Sequence, residues 1–279
     1  MIAPTFSREA LLHVVKNLPT APRILAQLGQ LLLDPNSDLS DVVELLKHDT
    51  GLTARVIRVS NSPVYGAGSR AGSLDEALLR VGFNEVYRLV GLAAVAQMSD
   101  DKLHQYGISG VRFRENSLFV AFLVEAMAPN LQLDPRSAYT AGLLRSTGKI
   151  AVDRLVTGPS YAKGYSVVGK GRPLDQWEQE VAGVDNATAA GVVLESWRFP
   201  EATTAAVRSQ YRPSDGGPLG KALNLACGLA ETAGFALPAE QSYWKPAAPD
   251  LAVDLPEWEI ERCVATATSQ FERAREAIG

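Results

Sequence analysis

Residues 141–149 read Ala141-Gly142-Leu143-Leu144-Arg145-Ser146-Thr147-Gly148-Lys149, with two apolar side chains leading into a fixed cation and a second cation four residues later. A guanidinium presents N–H donors and no acceptor, so Arg145 can hold a carboxylate or another anion but would repel a metal ion. Four residues is about one helical turn, which puts Arg145 and Lys149 near each other. The spacing predicts helices over about 135–147, opened by Asp134-Pro135, and 149–156. Outward from this stretch, nearly every patterned segment repeats with the helical period, and no run shows convincing two-residue alternation. Pro22 suits a helix start, and Ile24, Leu25, Leu28, Leu31 and Leu32 then form one apolar face that ends at Asp34-Pro35. Val42, Val43, Leu45 and Leu46 mark a second helix, and Leu52, Val56 and Val59 a third. Ser73-Leu74-Asp75-Glu76 has the form of a capping box, and Asn84 is placed to cap the apolar helix running from Val86 to Ala96. Further helices are expected near 114–128, 174–182, 186–197, 200–210, 217–233 and 257–277. The lapse between Ser99 and Gly110 reads as a seam between two lobes, and Leu237–Pro256, with four prolines, as a long surface loop. The expected fold is all-α.

The chain has 279 residues, 46% hydrophobic and 21% charged, and a formal net charge of −4. This is the composition of a globular protein with one large core or two joined lobes. Basic and acidic side chains balance over the first 112 residues and acids slightly predominate beyond, so no phosphate-neutralising surface for nucleic acid is expected. The longest apolar runs, Leu89–Ala96 and Leu118–Val124, are far shorter than the roughly 18 residues of a membrane span. Glu9 follows Arg8 with no apolar block behind it, which argues against a signal peptide. Cys227 and Cys263 lack metal-ligand spacing, and a reducing, cytoplasmic setting is expected.

Leu18-Pro19-Thr20-Ala21-Pro22, His48-Asp49-Thr50-Gly51-Leu52-Thr53-Ala54-Arg55, Asn61-Ser62-Pro63-Val64-Tyr65-Gly66 and Leu79-Arg80-Val81-Gly82-Phe83 follow one another in order. In that order they resemble the conserved segments of the HDOD family, bacterial regulatory domains related to HD-superfamily metal phosphohydrolases. The resemblance extends over roughly residues 18–230. It implies an all-α, HD-like helical bundle in two lobes, a single HDOD-type domain over 1–279 with an N-terminal lobe of about 1–110 and a degenerate HD-like lobe of about 111–279.

In the second half, Ala141–Lys149 resembles the HD signature Gly-Leu-Leu-His-Asp-Ile-Gly-Lys, with Arg145 and Ser146 at the His-Asp pair. Arg114-Glu115-Asn116-Ser117 resembles the segment ending in the first ligand His, which puts Asn116 there. Gly183-Val184-Asp185-Asn186 resembles Gly-x-Asp-His, with Asn186 at the histidine, and Trp197-Arg198-Phe199-Pro200 keeps the Trp-x-x-Pro that follows. Gln210 and Tyr211 stand at a His-His pair and Cys227 at the late aspartate. The three histidines, His13, His48 and His104, all precede the presumed site. The resemblance thus implies the HD frame without metal, catalytic residues or cofactor.

The resulting expectation is a non-catalytic signalling or regulatory module acting by protein–protein interaction, with a cyclase, kinase or response regulator as partner and a homodimer as one assembly. A second reading makes the vestigial pocket, lined by Asn116, Arg145, Ser146, Lys149, Asn186, Gln210, Tyr211 and Cys227, a metal-independent sensor of a phosphorylated ligand or cyclic dinucleotide. A third is residual phosphohydrolysis. In the bland alternative Arg145 pairs with a buried acid such as Asp185 or Glu180 and fills the space left by the metals. Trp197 reads as a core anchor. Trp244 is either a partner-binding anchor or a side chain that packs its loop down.

Overall fold

The computed structural model describes residues 7–65, 70–98, 102–156, 164, 165, 169, 171–244 and 253–278. Gly66, Ser99, the 245–252 part of the proline-rich stretch and the Asn84 side chain lie outside what is described. The described chain runs through α1 (Arg8–Lys16), α2 (Ala21–Leu31), α3 (Leu39–Lys47), α4 (Thr50–Ser60), α5 (Leu74–Val81), α6 (Phe83–Met98) and α7 (Gly110–Met127). It continues through α8 (Pro135–Leu144), α9 (Thr147–Leu155), α10 (Leu174–Ala182), α11 (Asn186–Ser196), α12 (Glu201–Arg208), α13 (Gly217–Thr232) and α14 (Glu257–Ile278). Among the described residues there is no strand, only an isolated bridge between Leu103 and Ile108. The fold is all-α and HD-like. No helix of the described residues is long and apolar enough to cross a membrane.

The helices form two compact units, one of Met1–Leu18 with Ser99–Ala267 and the other of Pro19–Met98 with Thr268–Gly279. In the smaller, α2 and α4 pack on α6, burying Ile24, Leu25, Leu28, Leu52, Val56, Val59, Leu89, Val90 and Ala93. The short polar motifs of the first half serve as local ties. Asp49 caps α4 by accepting from Leu52 N at 2.8 Å, and its other carboxylate oxygen accepts from the Thr20 hydroxyl. The Asn61 side chain closes the loop to Ala71, donating to its carbonyl at 2.9 Å and accepting from its N–H at 2.8 Å. Arg80 adds a third bond to Asn61 Oδ1 at 2.9 Å. Ser73 caps α5 through Glu76 N, but Glu76 reaches back to Gly72 N rather than to Ser73 N, so the predicted box is closed one residue early. His13, His48 and His104 are exposed.

The larger unit is built on α7, buried almost all round from Leu118 to Val124. Ser109 caps α7 at Arg112 N, which starts this helix four residues earlier than its apolar pattern suggests. Helices α7 and α8 touch at the backbone: a Cβ on Gly142 would lie 2.6 Å from Ala121 Cα. Likewise α9 meets the start of α11 so closely that a Cβ on Gly148 would lie 1.8 Å from Asn186 O. These two glycines of the 141–149 stretch therefore fix how α8 and α9 seat on their neighbours. The chain leaves α8 at Arg145 and re-enters helix at Thr147, a break at the residues the sequence reading had run as one helix to 147. Trp197 is buried, and Trp177 takes the edges of Tyr106 and Tyr165 with ring centroids at 5.3 and 5.4 Å.

One expectation is corrected in part. The described part of the proline-rich stretch is not a wholly exposed loop: Leu237, Glu240 and Trp244 are buried, while Pro238, Gln241 and Ser242 face solvent. The carbonyls leading into it are satisfied by side chains from helices, with Arg112 Nε donating to Ala236 O at 2.8 Å and Asn116 Nδ2 to Phe235 O at 2.7 Å. Those bonds remove the cost that normally keeps irregular chain in water.

The Gly148 contact makes a test with a clear sign. In an open helix, glycine to alanine stabilises by up to about 1 kcal/mol. Gly148→Ala is expected to destabilise by about 1–3 kcal/mol or more, because the obstacle is backbone that cannot rotate away. Urea denaturation read by circular dichroism measures the change.

Candidate functional site

Helix ends bring the vestigial residues to one place. Arg145 leaves the C-terminus of α8, Ser146 precedes α9, Lys149 sits in its first turn, Asn186 opens α11, and Gln210 and Tyr211 follow α12. Asn116 and Cys227 come from the middles of α7 and α13. Arg145 and Lys149 are 1% and 0% exposed, a depth at which a charge must be paired.

The partner is Glu240, itself 1% exposed. Arg145 grips both its oxygens, Nη1 to Oε1 at 3.2 Å and Nη2 to Oε2 at 2.9 Å. Lys149 Nζ lies 3.0 Å from Oε1. Arg145 also donates to Asn116 Oδ1 at 2.6 Å and Gln210 Oε1 at 3.1 Å. Gln210 Nε2 returns a bond to the Arg145 carbonyl at 3.0 Å. The Trp244 ring lies under the Arg145 guanidinium, 5.5 Å from its centroid, and Tyr106 under the Lys149 ammonium at 5.2 Å. The Tyr211 hydroxyl donates to Glu240 Oε1 at 3.0 Å and accepts from Lys149 at 3.3 Å.

A second buried acid lies behind the first. Glu178 accepts from Tyr106 OH at 2.6 Å, from Asn186 N at 2.8 Å and from Asn186 Nδ2 at 2.9 Å. Asn186 Nδ2 is also 3.1 Å from the Tyr211 hydroxyl, which joins the two acids' shells. Six of the eight predicted residues, Asn116, Arg145, Lys149, Asn186, Gln210 and Tyr211, thus belong to one hydrogen-bonded network. Cys227 lies within electrostatic range of Arg145 and Glu240. Ser146 Oγ is buried and bonds to no described atom.

One detail differs from the sequence expectation. The acid on Arg145 is neither Asp185 nor Glu180: Asp185 caps α11 through Thr188 N, and Glu180 pairs with Arg172 at the surface. Of the two roles open to Trp244, its burial fits the one in which it packs its loop down. Glu240, Glu178 and Tyr106 were missed altogether. A charge count at the vestigial positions calls for buried acids, since two buried cations demand them, but does not say which.

Burial alone would push the Glu240 carboxyl upward, but the charges and hydrogen bonds of Arg145 and Lys149 reverse this and hold it at about 2. Glu178 moves the other way, raised by burial against the pull of Lys149 and its hydrogen bonds. Burial pushes the Cys227 thiol up to about 12, so it is a neutral filler. Tyr211 and Tyr106 are raised well above the ordinary phenol value, Tyr211 by burial and then Glu240, Tyr106 by burial and then Glu178, so both remain donors. Because the folded pKa of Glu240 is depressed, its stabilisation is complete above its ordinary value of 4.5 and is lost as pH falls toward 2. Glu240→Gln is expected to cost about 3–5 kcal/mol near neutral pH, since it leaves buried cations uncompensated. The gap between variant and wild type should narrow below pH 4.5, as followed by thermal unfolding across pH.

The donor set does not suit a metal. Its core is two cations, the oxygens of Asn116 and Gln210 are engaged by Arg145, and the thiol of Cys227 is protonated. No group of three or more His, Cys, Asp or Glu residues comes together among the described residues.

The chain is similar over most of its length to solved structures of low identity. One, from Shewanella amazonensis SB2B and carrying a provisional phosphohydrolase label, is 24% identical, with 97% of this chain and 98% of that one covered and a TM-score of 0.65. Another, from Marinobacter aquaeolei VT8 and provisionally placed in signal transduction, is 20% identical, with 96% and 64% covered and a TM-score of 0.63. At these identities the likeness establishes the fold. An uncharacterized Treponema pallidum (strain Nichols) protein is 22% identical over 200 residues, 71% of this chain and 38% of its own length. The chain therefore spans well under half the length of that relative. The HDOD domain model matches residues 18–213, well over half of the chain, and the chain belongs to the HDOD family.

Proposed function

We propose that this chain is a non-catalytic regulatory module that acts by binding a signalling protein. The observation that carries the reading is the buried Arg145–Glu240–Lys149 cluster, with Arg145 at a position where the HD-like resemblance expects a metal ligand. A binuclear phosphohydrolase centre needs imidazole and carboxylate donors around its ions. Here the positive charge is carried by side chains of the protein, and their donors go largely to Glu240, Asn116 and Gln210 of the same chain, while Arg145 Nε bonds to no described atom. Such an arrangement holds structure and offers no means of activating water. While Glu240 fills that interior site, recognition of a protein partner is assigned to the outer faces of the helices. The partner class is a receiver, kinase or cyclase domain; the signal-transduction label of the Marinobacter protein is in keeping with a signalling role and names no partner.

The first test is turnover. Purified protein is incubated with bis(p-nitrophenyl) phosphate and with cyclic dinucleotides, each with manganese, with ferrous iron and with chelator. The expected rate equals the protein-free control in every condition. Hydrolysis that rises with metal and vanishes on chelation overturns the reading. A panel of purified receiver, kinase and cyclase domains tests the partner class by titration, with saturable binding to at least one expected.

A further inference from the structure

We infer that the segment Phe235–Trp244 is a tethered plug: its Glu240 carboxylate occupies, in cis, an anion site built by Arg145, Lys149 and Tyr211, and that site takes a dianionic phosphate, free or as a monoester, when the segment lifts. The inference rests on the cluster's geometry and does not depend on the absence of turnover.

The site is assembled largely without the plug. Arg145 is oriented by Asn116 on α7 and Gln210 after α12, at 2.6 and 3.1 Å. Lys149 stands on α9 over the Tyr106 ring. Tyr211 is held against Asn186 at the start of α11. With the plug removed, a guanidinium fork, an ammonium and a phenol hydroxyl would converge on one point from rigid elements. That is the donor set that recognises phosphate.

The plug differs in kind from what it fills. Glu240 arrives on an irregular stretch, immediately after Ala239, whose φ of +68° puts a non-glycine residue in the left-handed region. Its ends are tied by a few bonds. Arg112 and Asn116 hold Ala236 and Phe235 at one end. At the other, Asn224 donates to Tyr243 O at 3.3 Å and the Tyr243 hydroxyl bonds to Asp175 Oδ1 at 2.5 Å. The charges also favour exchange. Two cations face one directly paired carboxylate, with Glu178 one shell further out through Asn186, whereas a phosphate monoester carries about −1.5 to −2 near neutral pH and three acceptor oxygens. A dianion matches the pair better than the plug does.

The experiment compares wild type, Glu240→Ala and the double variant Arg145→Met with Glu240→Ala, titrated calorimetrically with inorganic phosphate and with phenyl phosphate. Chelator is present throughout and chloride holds the ionic strength constant. Glu240→Ala should bind at least one of the two saturably and at least tenfold more tightly than wild type, and the double variant should lose that binding. The tighter probe shows whether the site prefers free phosphate or an ester. A folded Glu240→Ala that binds neither probe better than wild type overturns the inference, as does binding that survives Arg145→Met. Should Glu240→Ala not fold, Tyr243→Phe frees the plug from Asp175 and leaves the Glu240 contacts intact. Phosphate should then speed amide hydrogen exchange across 235–244 more in Tyr243→Phe than in wild type, and unchanged protection overturns the inference. Metal-dependent hydrolysis in the turnover assay would remove the proposed function and leave this result standing, since no metal is available here.

Discussion

Two cations enclosed at the junction of α8, α9 and α11 set the demand that the surrounding side chains answer. A lone buried charge costs several kcal/mol even after relaxation, and only close, well-aligned partners recover that cost. The bidentate grip of Arg145 on Glu240 and the contact of Lys149 with the same carboxylate meet most of the demand. The rest falls to neutral groups that can face a guanidinium on one side and the backbone on the other. Asn116 accepts from Arg145 through its oxygen and donates through its nitrogen to Phe235 O. Gln210 accepts from Arg145 and donates back to its carbonyl. A neutral imidazole has one donor and one acceptor at fixed angles, and it could not easily match both. The amides at these positions are therefore complementary to Arg145, a coherent set of residues suited to an internal ion pair.

The frame around the cluster depends on different physics. Gly142 and Gly148 are needed because α8 and α9 approach neighbouring backbone too closely for a Cβ, whatever lies in the pocket. Packing of this kind is independent of charge and metal, which is how one stretch can keep its glycines and apolar residues while its polar positions take up a new task. The HDOD motifs of the smaller unit behave similarly. Thr20, Asp49, Asn61 and Arg80 are engaged in capping and loop closure.

Local chemistry was legible in the sequence wherever one helix sufficed to explain it. The apolar stripes of α2, α3 and α4 and the starts of α8 and α10 follow from periodicity and breakers within a few residues. The location of the site was legible too, since the resemblance placed Asn116, Arg145, Lys149, Asn186, Gln210 and Tyr211 where the structure joins them. Glu240 was not. It stands 95 residues from Arg145, in a stretch whose prolines and lack of period signal exposed chain. That signal rests on the cost of burying unpaired backbone, and here Arg112 and Asn116 pair the carbonyls leading into the stretch and Asn224 pairs Tyr243 O, all with side chains from distant helices.

By itself the sequence determined the helices, because turn-to-turn spacing and capping act over a handful of residues. It also determined that Arg145 is no metal ligand, because a guanidinium has no lone pair to give an ion. The tertiary structure decided which carboxylate neutralises Arg145 and Lys149, that Asp185 and Glu180 are spent elsewhere, and that an irregular segment becomes part of the core. Those outcomes turn on distances between groups far apart in the chain. Electrostatic pairing in a buried site selects the acid that can reach both cations at once, and only the packing of α8, α9, α11 and α13 fixes which acid that is.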